Sequence, residues 1–80
     1  MQIKIHTFGI ARDICGGPIL RLELPDNATA GQLKQRLTEQ YPRLGALASF
    51  LLAVNEEYAE PDTLLRMDDD IAVIPPVSGG

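Results

Sequence analysis

Apolar residues recur along this 80-residue chain with two different periods, and the switches between them predict its elements. At the start, Ile3 and Ile5 alternate with Gln2, Lys4 and His6, a period of two that reads as a half-buried strand. Continued, the alternation puts Thr7 on the inward face and Phe8 on the outward one. Gly9 ends the run, and Ile10 to Ile14 have room for a short turn of helix before the Gly16-Gly17-Pro18 breaker. A second strand carries Leu20, Leu22 and Leu24 on one face and Arg21 and Glu23 on the other, and Pro25-Asp26-Asn27 closes it as a turn. The period then lengthens. Ala30, Leu33, Leu37 and Tyr41 fall three to four apart and line one face of a helix, while Gln32, Lys34, Gln35, Arg36, Glu39 and Gln40 cover the rest. Thr29, with Gln32 three positions on, is a capping box that starts this helix. Pro42 stops it, because the residue before a proline avoids helical dihedrals. Arg43 to Ser49 have room for another short turn.

Phe50-Leu51-Leu52-Ala53-Val54 is an apolar run of the length of a buried strand. Asn55-Glu56-Glu57 reads as a turn, Tyr58-Ala59 as a short edge strand, Pro61-Asp62 as a break, and Leu64 and Leu65 as loop anchors. Asp68-Asp69-Asp70 is a polar turn before a last strand, Ile71-Ala72-Val73-Ile74, which Pro75-Pro76 cuts off. The order is β-β-α-β-(β)-β. A helix that follows a hairpin covers one face of the sheet, and the last strand can lie parallel beside the first through a long right-handed crossover. The expected fold is α+β: a ubiquitin-like β-grasp roll, with a mixed sheet of four to five strands and one main helix on one face. Residues 1–76 form the domain and 77–80 a flexible tail.

Composition narrows the function. The chain is 45% hydrophobic and 22% charged, which excludes an intrinsically disordered protein. The longest nearly apolar stretch, Leu44 to Val54, contains Gly45 and Ser49 and is too short to span a bilayer. Seven basic against eleven acidic residues give a net charge of −4, and the cations (Lys4, Arg12, Arg21, Lys34, Arg36, Arg43, Arg66) are scattered. Nucleic acid is therefore not an expected partner. One cysteine allows no internal disulfide, and MQIKIHTF has no signal-peptide core, so a cytoplasmic location is expected. One His and one Cys cannot make the usual zinc site. No GxxxxGK[ST] or GxGxxG motif is present. No cofactor is expected on the chain itself.

The C-terminus, Pro75-Pro76-Val77-Ser78-Gly79-Gly80, is the most informative stretch. The prolines fix φ and lack N–H groups, so they end the sheet ladder and stiffen the exit. Four residues beyond them reach about 13 Å when extended. Without side chains, Gly79-Gly80 can thread a channel too narrow for other residues and leave the terminal carboxylate open to attack. A frayed terminus is the plain alternative for any Gly-Gly ending.

PPVSGG after a strand resembles the C-terminus of the molybdopterin synthase small subunit, the MoaD type of sulfur carrier in the ubiquitin-like MoaD/ThiS superfamily. Phe8-Gly9-Ile10-Ala11-Arg12-Asp13 is similar to that family's opening segment, Leu51-Leu52-Ala53-Val54-Asn55 to its apolar strand with Val-Asn, and Asp68 to Pro76 to its Asp-Gly-Asp turn, strand and Pro-Pro. Asp69 departs from the pattern, standing where the family usually has glycine. Because Asp tolerates the left-handed region better than most residues, the turn should survive. The resemblance implies that an ATP-dependent, E1-like activating enzyme adenylates the Gly80 carboxylate and that a sulfur donor converts it to a thiocarboxylate. The carrier then docks on the large catalytic subunit, and its tail, with Gly79, enters the active site. Sulfur passes to cyclic pyranopterin monophosphate in molybdenum cofactor biosynthesis. ATP is used by the activating enzyme, and acid-base residues come from the partner. The chain is thus a sulfur-donor subunit of a heteromeric sulfurtransferase.

Phe8, Tyr58 and Ile74 are expected to form an exposed apolar patch for a partner, with Arg12, Pro75, Pro76, Val77 and Ser78 as further contacts and Arg12 and Arg66 as candidates toward the activating enzyme. Cys15 could be imagined as a persulfide carrier, but a loop or half-buried thiol is the plainer reading. His6 reads as a surface strand residue without a second ligand, and the three aspartates as a solvated turn. Two other functions fit a Gly-Gly ending: a sulfur carrier for thiamine thiazole synthesis, and a ubiquitin-like modifier conjugated through Gly80. A plain binding module would not need Gly79-Gly80 at all.

Overall fold

The computed structural model describes residues 1–46 and 50–75. Its elements in chain order are β1 (Gln2–Thr7), α1 (Gly9–Cys15), β2 (Ile19–Glu23), α2 (Ala30–Gln40), α3 (Pro42–Gly45), β3 (Leu51–Val54), β4 (Glu57–Tyr58) and β5 (Ile71–Ile74). They make one five-stranded sheet in the order β2-β1-β5-β3-β4. β1 runs antiparallel to β2 and parallel to β5, and β3 is antiparallel to both β5 and β4. This is the mixed β-grasp sheet, with the last strand beside the first. Pro76, Val77, Ser78, Gly79 and Gly80 lie outside the described residues, as do 47–49 in the stretch read as a second short turn.

Period two in β1 translates directly into burial. Ile3, Ile5 and Thr7 are buried, while Gln2, Lys4 and Phe8 are exposed and His6 is half-buried. Their inward side chains join Leu22, Leu24, Leu33, Leu37, Leu44, Phe50, Leu52, Leu65, Ile71 and Val73 in one core, with α2 over a single face of the sheet. Burying such side chains is the main favourable term for a domain this small. Thr7, a buried polar residue, is satisfied by donating its hydroxyl proton to the Gly17 carbonyl, and its N–H bonds Pro18 O at 2.9 Å.

The wide loop of the first hairpin contains α1, a seven-residue helix. Gly16 ends it at φ 84°, and the N–H groups of Gly16 and Gly17 both bond Arg12 O. That is the left-handed C-terminal stop for which glycine is favoured.

All four N–H groups opening α2 are accounted for. Gln32 N bonds Thr29 Oγ1 at 3.3 Å and Leu33 N bonds Thr29 O at 3.0 Å. Ala30 N reaches Thr63 O at 2.8 Å, and Gly31 N reaches Pro61 O at 2.9 Å. The Gln32 side chain returns a bond to Thr29 N at 2.8 Å, completing the capping box. The loop after β4 therefore supplies the acceptors that an isolated helix start would lack.

Three expectations need correction. Only Leu65 anchors that loop; Leu64 is exposed, although its backbone bridges Thr29. The run Phe50 to Val54 is not buried throughout: the strand starts at Leu51, whose side chain is exposed because it alternates against Leu52. The second hairpin turns on Asn55 and Glu56 alone, so the edge strand is Glu57–Tyr58 rather than Tyr58-Ala59.

Candidate functional site

The sheet face opposite α2 is open, and strand register places particular side chains across it. One row runs Ile19, His6, Ala72, Ala53, Tyr58 through all five strands. The next row toward the chain's end pairs Ile74 with Leu51, with Phe8 following β1 beside them. Two small residues in the middle of a row bordered by larger ones leave a hollow. Ala72 and Ala53 are its floor, and Phe8, Ile74, Tyr58, His6, Glu56 and Asp70 its walls, around a depression of about 520 Å³.

The depression is polar at one end and apolar at the other. Phe8 and Ile74 lie toward the end of β5 that continues into Pro75, and Glu56 and Asp70 lie at its start. Phe8 is 52% and Tyr58 70% exposed, and Leu51 at 48% extends the apolar strip. Five described aromatic or large aliphatic side chains on one bare face (Phe8, Ile19, Leu51, Tyr58 and Ile74) exceed what scattered surface hydrophobics need. Pro75, half-buried, is close to Gly9: a Cβ on Gly9 would lie 3.4 Å from Pro75 Cγ. Gly9 itself sits at φ 55°, a backbone conformation that suits glycine.

The acidic end is built by a hydrogen-bonded turn. Asn55 N bonds Asp70 O at 2.8 Å, Asn55 Oδ1 accepts from Asp70 N at 2.9 Å, and Asn55 Nδ2 donates to Asp69 Oδ1 at 3.0 Å. Asp69 Oδ2 accepts from Arg66 N at 2.8 Å. The turn does survive without glycine, though not by a left-handed Asp69. Among the described non-glycine residues, positive φ falls on Asn55 (53°) and Glu56 (71°). Asp69 is held instead by its carboxylate and is half-buried, whereas Asp68 and Asp70 are exposed as expected of a solvated turn. His6 is not a bystander on the surface: its Nε2 is 3.1 Å from Asp70 Oδ1. Among the described residues, no three His, Cys, Asp or Glu side chains are grouped to hold a metal ion.

The residues expected to contact partners do not all meet. Phe8, Tyr58 and Ile74 share the depression, with Pro75 next along the chain. Arg12 is exposed on α1 and lines a separate shallow pocket with Asp13, Gly16, Gly17 and Pro18. Arg66 lines another, with Leu64 and Asn55. Cys15 is half-buried at the end of α1, and burial pushes its thiol pKa up, away from the reactive thiolate. Leu51, Ala53, Glu56, Asp70 and Ala72 were absent from the sequence-derived surface. Leu51 and Ala53 were legible as the outward positions of β3, had alternation been read inside the apolar run. Glu56 and Asp70 needed the β3–β5 register.

No described helix is long and apolar enough to cross a membrane. Residues 5–80 match the ThiS family. The chain is 39% identical to the molybdopterin synthase sulfur carrier subunit of Dictyostelium discoideum, covering 99% of this chain and 96% of that one. It is 36% identical to the sulfur carrier subunit of Arabidopsis thaliana, covering 100% and 84%. In fold it is similar to a molybdopterin converting factor subunit 1 of Pyrococcus furiosus (TM-score 0.86, 24% identity, 96% of this chain and 99% of that one). It is also similar to small archaeal modifier protein 1 of Haloferax volcanii (0.80, 20%, 95% and 98%). A third neighbour comes from the complex of subunits 1 and 2 of the molybdopterin-converting factor of Helicobacter pylori (0.66, 22%, 100% and 100%). With full-length relatives above 30% identity and a family match over nearly every residue, the chain belongs to the ThiS family, among the molybdopterin synthase sulfur carrier subunits.

Proposed function

We propose that this chain carries sulfur on Gly80 and delivers it to cyclic pyranopterin monophosphate inside the large catalytic subunit of molybdopterin synthase. The observation that carries the reading is the juxtaposition of a bare apolar face with the strand that leads into PPVSGG. A carrier needs a surface to be recognised by and a reactive end that can leave that surface. The Gly80 carboxylate is a poor electrophile. An ATP-dependent, E1-like activating enzyme makes it an acyl-adenylate, releasing pyrophosphate. Sulfide released by the donor then attacks the acyl carbon and displaces AMP, and loss of the sulfur-bound proton leaves a thiocarboxylate. Its sulfur is nucleophilic without any cysteine, consistent with the raised thiol pKa at Cys15. Phe8, Tyr58 and Ile74 dock the body, Pro75 and Pro76 direct the exit, and Val77, Ser78 and Gly79 pass along the partner's channel. The Helicobacter complex of two subunits supports a large-subunit partner for a chain of this fold.

The test is reconstitution. Thiocarboxylated protein, purified large subunit and cyclic pyranopterin monophosphate should yield molybdopterin, and deletion of Gly79-Gly80 should abolish the yield. A second reading, favoured by the likeness to an archaeal modifier, is conjugation through Gly80 to lysines of target proteins. Mass spectrometry of the protein from cells separates the two. Exchange of one C-terminal oxygen for sulfur supports the carrier, and isopeptide-linked adducts support the modifier.

A further inference from the structure

The depression is more than an apolar landing place, because its far end is anionic. Among the described residues Glu56 makes no ion pair, and Asp70 pairs through its carboxylate only with His6, a contact that is ionic only when the imidazole is protonated. Lys4, exposed two positions before His6 on β1, makes no ion pair with Asp70 among the described residues. Between the two ends lie Ala72 and Ala53, so a long side chain can lie along the floor with its stem on apolar surface. Tyr58 lines the same depression, and its ring is a further favourable surface for a cation there. From Asp70 to Ile74 the strand rises about 13 Å, which sets the spacing between the anionic end and the root of the tail.

We infer that this end of the depression takes an arginine or lysine side chain of the large catalytic subunit, seated about 13 Å along β5 from Ile74. The inference rests on the docking face proposed above and adds the chemistry of the residue that fills it. Apolar contact at Phe8, Ile74 and Leu51 supplies burial. Glu56 and Asp70 supply register, because a cation seated on them fixes where β5 points. Charge pairs at such a rim act mainly on encounter rate and orientation.

The experiment is a titration of the purified large subunit with wild-type protein, Glu56→Gln, Asp70→Asn, the double variant, Glu56→Lys and Phe8→Asp, at low and high salt. Thermal unfolding of each variant confirms the fold. Each single neutralisation should weaken binding roughly two- to fivefold at low salt, and the double variant should lose most of the wild-type salt dependence. Charge reversal at Glu56 should weaken binding further than Glu56→Gln. Wild-type affinity and salt dependence in the double variant, with weakened binding by Phe8→Asp, overturns the cation site and leaves the docking face standing. Absence of binding by wild-type protein overturns both.

Discussion

Gly31→Ala is a test of how the helix start and the loop after β4 are joined. On propensity alone, alanine should stabilise a helical position by about 1 kcal/mol relative to glycine. Position 31 carries an opposing constraint. A Cβ built there lies 2.9 Å from the carbonyl oxygen of Pro61 and 3.5 Å from that residue's Cα and Cβ. Reaching an ordinary contact requires helix and loop to part by roughly half an ångström. The backbone they would separate holds Gly31 N–Pro61 O at 2.9 Å and Ala30 N–Thr63 O at 2.8 Å. Those donors have no intrahelical acceptor, and Ala30 is buried, so loosening each bond costs about 1–2 kcal/mol. The loss exceeds the gain. We expect net destabilisation of about 1–3 kcal/mol, read as a melting temperature lower by roughly 5–20 °C for a domain of this size. Gly45→Ala is the control. Among the described residues its Cβ would meet only Thr38, at 3.5 and 3.6 Å, which is normal contact. That variant should be neutral or slightly stabilised in urea unfolding followed by circular dichroism. If Gly31→Ala raised the urea midpoint as much as Gly45→Ala does, with unchanged m, the proposed clash would be refuted.

Glu56→Gly should relieve a left-handed residue in a two-residue hairpin turn of the type I′ kind, and stabilise by roughly 0.5–1 kcal/mol in thermal unfolding. The same variant should bind the large subunit less tightly, so that stability and affinity move in opposite directions. The Met1 amine is held near Glu23 (3.0 Å) and Asp26 (3.1 Å) and also bonds Leu24 O. Hydrogen bonding to Glu23 first, then Asp26, raises its pKa above the usual α-amino value. A raised folded value favours the protonated form in the fold. The contribution is therefore complete below about pH 8 and lost as pH climbs through the folded value. Urea midpoints measured from neutral to alkaline pH should fall over that window, and Glu23→Gln with Asp26→Asn should flatten the fall. Phe8→Asp should weaken large-subunit binding at unchanged melting temperature, because the ring is half exposed; a large drop in melting temperature would make it a core residue.

The sheet and the main helix were legible because their signals are local. Ile3-Ile5 and Leu20-Leu22-Leu24 alternate cleanly, and Thr29 with Gln32 spells out a cap that the structure forms atom for atom. The face bearing Phe8 and Ile74 followed from the same alternation. What stayed hidden depends on register between distant strands. Nothing in the chain order says that Ala53 stands between Tyr58 and Ala72, so the hollow could not be foreseen. The contact of His6 with Asp70 joins residues far apart in sequence. Leu51 was missed for another reason: an unbroken apolar run conceals alternation, and only the open far side of the sheet exposes it. Asp69 was expected to hold its turn by backbone tolerance, and holds it by side-chain hydrogen bonds.

The position of β5 has a mechanical consequence. It is the middle strand of five, bonded to β1 on one side and β3 on the other. A pull on the chain beyond Ile74 is directed along this strand, so the ladders on both flanks are loaded in shear and must yield together rather than peel one bond at a time. In the proposed carrier role, a C-terminus drawn into the partner or tugged during release from it would be anchored through the central strand of the sheet. An edge strand in the same role would unzip under the same force.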